Sequence, residues 1–311
     1  MSIDISSAPD RTARDVRDTS HAPPATAPRP SPERKLRLPR ADVAVLIRRG
    51  LLLFGVTVIM FGVFLMLLSG LEHGRSQTGL ERRLRVELAN VQSPIGGDIA
   101  KGTPIAQLSI PDIGVHEVVV QGTDSGSTRK GPGHLPASPM PGQSGNVVLV
   151  GRHSAYGGPF SHLNSLDKGS DIKVITGQGI SHYTVSAVRR FASKDGSFLI
   201  GSGDRLTLVT SEPALFASRR LVVTATLASQ PFQSTDHPSK FGANELGLDG
   251  DTGGMVALVV WLEAMLVVAL GGVWLFRRWN AWTAYVIVVP VVLAVSWLIF
   301  DSAAVLFPAT L

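Results

Sequence analysis

The sequence of 311 residues contains no cysteine. This absence excludes disulfide bonds, thiolate metal ligands and a cysteine nucleophile. A domain on the outer side of a membrane would therefore be held together by its own apolar core. No cluster of residues has the spacing of metal ligands, and we predict neither a metal nor a cofactor.

Charge is absent from two long stretches of the chain, and a third long apolar stretch contains only one charged residue. The 21 residues of the segment 50–70 carry no charged side chain, and at 1.5 Å per residue they can cross about 30 Å of hydrocarbon. Because 49 residues precede this segment, we interpret it as an uncleaved signal anchor rather than a cleaved signal peptide. We assign transmembrane helices to residues 43–70, 255–276 and 281–300. The four residues 277–280 can turn a helical hairpin but cannot hold a domain.

The net charge of +5 is concentrated beside these segments. Residues 1–49 have ten Lys and Arg against six Asp and Glu, and the turn 277–280 adds two Arg, whereas residues 71–254 are nearly neutral. Lys and Arg near the ends of a span resist translocation, which predicts a multi-pass plasma-membrane protein with its N-terminus in the cytoplasm and residues 71–254 outside. The basic excess then lies at the membrane, so the charge gives no indication of nucleic-acid binding.

Glu263 lies well inside the second of the three predicted spans. An ionisable group in lipid usually has a partner, here Ser296 across the hairpin or a group on another protein. A protonated glutamic acid in lipid is an equal alternative.

The composition divides the remaining chain into segments. Residues 1–42 have almost no large apolar side chains and are predicted to be a disordered cytoplasmic tail. The helical spacing of Leu80, Leu84 and Leu88 predicts a helix within the juxtamembrane segment 71–103. Residues 104–229 hold short β-rich runs separated by turn residues, which predicts a mainly β domain, a compact barrel or sandwich, and residues 230–254 are predicted to be a flexible linker. The predicted strands are 105–110, 115–120, 146–150, 171–176, 182–188, 205–210 and 221–227.

Three motifs of this domain resemble those of the sortases, most closely the class E type of actinobacteria. They are the stretch 130–146 (KGPGHLPASPMPGQSGN), the stretch 150–160 (VGRHSAYGGPF) and the stretch 206–213 (LTLVTSEP), which is followed by RRLVV at 219–223. Their order, spacing and strand positions match over about 120 residues. The resemblance implies a closed sortase-like β-barrel outside the membrane, and with the three spans it gives the predicted fold.

The same resemblance implies a peptide-cleaving transpeptidase. The family uses a cysteine nucleophile, a histidine that protonates the leaving amine and an arginine that holds substrate and oxyanion. The matching positions here are Ser211, Arg152 and Arg220 respectively, so two of the three residue types are changed. A serine hydroxyl needs a positioned base to become a nucleophile, and a guanidinium stays protonated and only donates.

His153, one position after Arg152, is a candidate substitute base. In an extended strand its side chain would point to the opposite face, although a loop at the strand end could bring it back. If it does not, Arg152 and His153 are rim residues of an inactive groove.

We therefore predict a pseudosortase that binds an extended peptide or an envelope protein in its groove. The alternatives are an active serine-dependent transpeptidase or hydrolase that uses Ser211 and His153, and a purely structural subunit of an envelope complex that assembles through the three helices.

Overall fold

The computed structural model describes residues 40–64, 68–192, 195–199, 203–213, 218–236, 254–306 and 310. Internal contacts divide the chain into residues 1–51 and residues 52–311, and all contacts described below lie within the second unit. Most of the predicted disordered tail and most of the predicted flexible linker lie outside the described residues, and residues 40–42, predicted to be the end of the tail, are helical.

Eight strands form a closed barrel. They are β1 Pro104–Ile110, β2 Val115–Gln121, β3 Gly133–His134, β4 Asn146–Val150, β5 Asp171–Thr176, β6 Gly179–Ala192, β7 Arg205–Glu212 and β8 Arg219–Leu227. Their order around the barrel is β1-β2-β3-β4-β7-β8-β6-β5. Neighbouring strands are antiparallel except for two parallel pairs, β2 with β3 and β4 with β7. The predicted closed β-barrel is thus confirmed.

Alternation along the strands builds two apolar layers, because successive side chains point to opposite faces. In β7, Leu206 and Leu208 point into the barrel interior, whereas Val209 points outward. The outward layer joins Val209 to Val222 of β8 and is covered by Phe198, which follows β6. Strands β4, β7 and β8 therefore have an apolar outer face as well as an apolar inner one.

Four helices longer than one turn are described: α1 Arg40–Val63, α2 Ser69–Ala89, α4 Gly254–Arg278 and α5 Ala281–Val305, with the single-turn α3 at Ser125–Thr128. Within the described residues, two segments are long and apolar enough to cross a membrane, 255–275 in α4 and 282–304 in α5. These coincide with the second and third predicted spans, and the first span stays a prediction. The predicted juxtamembrane helix is longer than the Leu80 to Leu88 pattern indicates, because it begins at Ser69.

Candidate functional site at the end of strands β4, β7 and β8

Ser211 and Arg220 lie directly opposite each other on the antiparallel strands β7 and β8. Two residues before Ser211 on the same ladder, Val209 faces Val222, and both belong to the outer apolar layer. Since residues two apart share a face of a strand, Ser211 and Arg220 continue this layer on the outside of the barrel. Both are buried, with 1% and 4% of their surface exposed. The Arg220 guanidinium lies 5.9 Å from the centroid of the Phe198 ring.

The loop after β4 runs beside Ser211 because β4 and β7 are parallel partners. Val150 is paired with Val209, and the Gly151 amide donates to the Val209 carbonyl over 3.0 Å. The next two residues are Arg152 and His153, the pair on which the sequence analysis left alternatives open. Their side chains have different surroundings in the structure.

Arg152 is fully buried and directed to α3. Its guanidinium donates to the carbonyl oxygen of Ser125 over 3.1 Å and to the Oγ of Ser125 over 2.8 Å. The same guanidinium stacks on Tyr156, 4.8 Å from the ring centroid. Burial lowers the pKa of Arg152 to about 10, opposed by the Tyr156 phenol, so the side chain keeps its charge at neutral pH. Arg152 is therefore a buried cation bonded to α3 and not an exposed residue.

The backbone amide of His153 and the hydroxyl of Ser211 bind the same oxygen atom. The His153 amide donates to the carbonyl oxygen of Thr310 over 3.1 Å, and Ser211 Oγ donates to that oxygen over 2.7 Å. Two donors from two different elements of the barrel thus converge on one peptide carbonyl. Thr310 is itself buried, with 3% of its surface exposed.

The imidazole of His153 has no hydrogen-bond partner on Nδ1 among the residues that the structure describes. Burial lowers the pKa of His153, with Glu212 opposing the shift, so the ring is neutral at neutral pH. A neutral imidazole can accept a proton. The proton of Ser211, however, points to Thr310 and not to this ring.

A second cluster of charges lies beside the same loop and holds two helices. Arg129 forms ion pairs with Glu72 of α2, over 3.1 Å, and with Asp301 of α5. Its guanidinium lies 5.0 Å from the centroid of the Tyr156 ring, which Arg152 also contacts. We call the set Glu72, Arg129, Arg152, Tyr156 and Asp301 the anchor cluster.

Apolar packing reinforces the anchor cluster. Ala155 and Tyr156 pack with Phe300 and Ala304 of α5 and with Phe64. The Tyr156 amide donates to the Oγ of Ser69 at the start of α2 over 3.0 Å. The loop after β4 is therefore held by both polar and apolar contacts.

Helix α2 is fixed to strand β2 by two buried polar side chains. His73 Nε2 lies 2.9 Å from a carboxylate oxygen of Glu117, and Gln77 both accepts from the Val118 amide over 2.7 Å and donates to the Lys130 carbonyl over 2.7 Å. Gly157 faces His73 so closely that a Cβ atom there would lie 2.7 Å from the imidazole Cδ2. Burial alone would lower the pKa of His73, but the hydrogen bond and the charge of Glu117 raise it overall.

His134, at the end of β3, joins three parts of the barrel. It is buried, with Nδ1 lying 2.8 Å from Gln121 Oε1 and Nε2 lying 2.9 Å from the Pro139 carbonyl oxygen. These contacts tie β3 to β2 and to the loop before β4.

Comparison with known proteins agrees with the motifs on which this site was first placed. Residues 108–228 match the sortase domain family model. The sortase resemblance of this domain is confirmed. Sortase D of Bacillus subtilis (strain 168) is 29% identical over 93 residues, which is 30% of this chain and 45% of that protein. The chain therefore matches less than half the length of this curated relative.

Solved sortase structures are also similar. A sortase D5 transpeptidase of Clostridium perfringens has 21% identity and a TM-score of 0.43, with 50% of this chain and 99% of that chain covered. Sortase E from Streptomyces avermitilis has 28% identity and a TM-score of 0.39, with 43% of this chain and 93% of that chain covered.

Sequence reasoning missed three features of the site: the Thr310 carbonyl, the anchor cluster and the pair His73 and Glu117. The sequence could have indicated a role for Asp301, because a carboxylate at the end of an apolar segment usually has a partner. It could not have indicated the role of Thr310, because the contact uses a backbone oxygen, which every residue has.

Proposed function

We propose that this chain is a membrane-anchored, sortase-like protein of the outer side of the plasma membrane that binds an extended peptide without cleaving it. The observation that carries the proposal is the hydrogen bond of Ser211, whose hydroxyl donates to a peptide carbonyl and not to a base. A serine becomes a nucleophile only when a neighbouring group removes its proton. Arg152, at the position of the family histidine, is a buried cation bonded to Ser125.

The surroundings of Ser211 are suited to a peptide. Extended peptides are held by hydrogen bonds to their backbone and by pockets for alternate side chains. Ser211 Oγ and the His153 amide supply two donors for one carbonyl. Arg220 lies beside them and has the apolar outer layer next to it.

A serine-dependent transpeptidase or hydrolase is the second candidate function. It is favoured by the neutral imidazole of His153, whose Nδ1 has no partner among the described residues. For this function the imidazole would have to replace the carbonyl as the acceptor of the Ser211 proton.

A fluorophosphonate probe, which reacts with activated serines, distinguishes the two functions. We expect no labelling of Ser211 in the full chain in detergent or in a variant that lacks residues 307–311, in which access to Ser211 is not limited by Thr310. Labelling that disappears in Ser211→Ala and in His153→Gln would establish the enzyme and overturn the binding protein.

The proposed orientation places the sortase-like domain outside and the turn 277–280 inside, on the distribution of Lys and Arg. In this cysteine-free chain, single cysteines report orientation without background. Ser165→Cys lies at an exposed position of the domain, and Asn280→Cys lies in the turn. An impermeant maleimide should label only Ser165→Cys in intact cells, and labelling of Asn280→Cys alone would reverse the orientation.

We also propose that the segment 43–70 is a third span beside α5. The Phe61 ring lies 5.3 Å from the Phe300 ring, and the Phe64 ring lies 5.0 Å from the Trp297 ring in an edge-to-face arrangement. Both partners belong to α5, which is of membrane-spanning length. Ring contacts of this kind add to the packing of two helices in lipid.

A further inference from the structure

Ser211 and the His153 amide already bind a peptide carbonyl at the site of the proposed groove, and that carbonyl belongs to the chain itself. Thr310 lies 99 residues after Ser211 and is the described residue that follows α5 and Leu306. Its oxygen accepts from Ser211 Oγ and from the His153 amide. Two donors on one acceptor is a complete set of partners for a carbonyl oxygen with two lone pairs.

The contact between Ser211 and Thr310 is buried from solvent. Ser211 and Thr310 are almost fully buried, whereas a serine hydroxyl in an open groove would be bonded to water. The His153 amide would likewise need water or a peptide ligand if Thr310 were elsewhere. The three groups therefore satisfy one another.

The anchor cluster holds the end of α5 beside the loop that follows β4. Asp301 is paired with Arg129, and Phe300 and Ala304 pack against Ala155 and Tyr156. The loop that contains Ala155 also carries His153. From Leu306, four residues reach at most about 14 Å, so the end of α5 and the Thr310 site must lie close together.

From these contacts we infer that Thr310 is an intramolecular ligand of the peptide groove, with its carbonyl in the place of a bound peptide carbonyl. The groove then accepts a peptide from another protein only when Thr310 leaves it. This inference rests on the proposed peptide-binding function, because it names the resting occupant of the same groove. An intramolecular ligand competes at an effective concentration in the millimolar range, so an outside peptide must bind tightly or be delivered locally.

Alkylation of Ser211→Cys in the full chain in detergent tests the inference directly. The introduced thiol should react slowly with a maleimide while Thr310 covers it. Removal of residues 307–311 should speed the reaction by at least about tenfold, since a covered group reacts only through its open population.

Thr310→Trp in the full-length chain is the second variant and should speed the alkylation too, because a large side chain does not fit at a site that is 3% exposed. Ser165→Cys is the matched control and should react at one rate in all three backgrounds.

A trans-binding measurement separates failure of this inference from failure of the proposed function. The probe is a fluorescent synthetic peptide with the sequence of residues 306–311. We expect it to bind the shortened chain at least about tenfold more tightly than the full chain.

The two measurements together have distinct outcomes. Protection of the thiol in Ser211→Cys without binding of the peptide would support the intramolecular ligand and overturn peptide binding in trans. Equal alkylation of this variant in the full and shortened chains would overturn the intramolecular ligand whether or not the peptide binds. Protection that is lost on dilution would also overturn it, because the occupant would then come from a second copy.

Discussion

Arg152 and His153 are neighbours in the sequence, yet they belong to two regions of the molecule with different physical character. Arg152 is part of the anchor cluster, where Arg129 pairs with two partly exposed carboxylates and the buried Arg152 contacts Ser125 and an aromatic ring. His153 belongs to a second set with Ser211 and Thr310, which we call the groove end. There two donors bind one carbonyl, and an imidazole nitrogen has no partner in the described part of the chain. The difference teaches that the side chain at position 152 supports the fold through α3, while the backbone of the next residue provides a donor beside Ser211.

The two regions should therefore respond differently to substitution. Removing a member of the anchor cluster leaves buried polar groups without partners and should lower stability. Removing a member of the groove end should change the occupancy of the groove more than the stability.

Arg152→Ala should have the largest effect and lower the free energy of unfolding by about 2 to 4 kcal/mol. It removes two hydrogen bonds to Ser125 and the stack on Tyr156, and it leaves the space of a long side chain. Chemical denaturation of the detergent-solubilised chain measures the loss. Arg152→Lys is the control and should lose less, because it keeps the charge but not the planar stack. An unchanged midpoint for Arg152→Ala would remove Arg152 from the anchor cluster.

The same residue limits any attempt to restore the family chemistry. Ser211→Cys with Arg152→His supplies the family residue types, but the second change removes a side chain that bonds to Ser125. We therefore expect the double variant to be less stable than Ser211→Cys alone.

Asp301→Asn tests whether the two regions are coupled, and should lower stability by about 1 kcal/mol, because the carboxylate is partly exposed to solvent. The amide keeps the shape of Asp301 but loses the charge that pairs with Arg129. Because α5 then holds the loop less firmly, alkylation of Ser211→Cys should also become faster. Glu263→Gln is the matched control, since it removes a carboxylate from α4 that no described ion pair uses. A loss of stability without any change in alkylation would separate the anchor cluster from the groove end.

How much of this arrangement follows from the sequence depends on the kind of interaction. Strands β4 and β5 begin and end where the β-rich runs and their flanking turn residues predict, because both are local signals. β3 has only two residues and offers no pattern, and β6 runs on to Ala192 because β8 pairs with it along that length. Ser211 and Arg220 face each other on β7 and β8, which are separated by only the six residues 213–218.

The destination of the Arg152 side chain could not be predicted in the same way. Its partners are Ser125 on α3 and Tyr156 in the loop after β4. These contacts depend on the tertiary fold and not on the spacing of residues in the sequence. The role of Thr310 is also beyond a sequence pattern, because its contact uses only the backbone. The chemical roles assigned to Ser211, Arg152, His153 and Arg220 from the resemblance remain predictions.

The pair His73 and Glu117 should make the stability depend on pH, with an effect of about 1 kcal/mol. Although burial lowers the pKa of His73, Glu117 raises it overall in the folded chain, above the value near 6.5 of the unfolded chain. The stabilisation is therefore fully present below pH about 6.5 and is lost as the pH rises through the folded pKa. Denaturation midpoints measured from pH about 5.5 to 8.5 should fall across this range, and His73→Gln should flatten the dependence. A stability that rises with pH in the wild type but not in His73→Gln would contradict the pair.

Ser211→Ala should have the smallest effect on folding, about 0.5 to 1 kcal/mol, because one of two hydrogen bonds to the Thr310 carbonyl is lost. The His153 amide still donates to that oxygen, so the groove should keep its occupant with reduced protection. Ser211→Thr, which keeps the hydroxyl, is the control. Complementation of a deletion strain gives the functional measure: a binding protein should retain most of its role in Ser211→Ala. Complete loss of that role at normal abundance, with a covalent adduct on Ser211 in the wild type, would make the groove end an active site and end the contrast between the two regions.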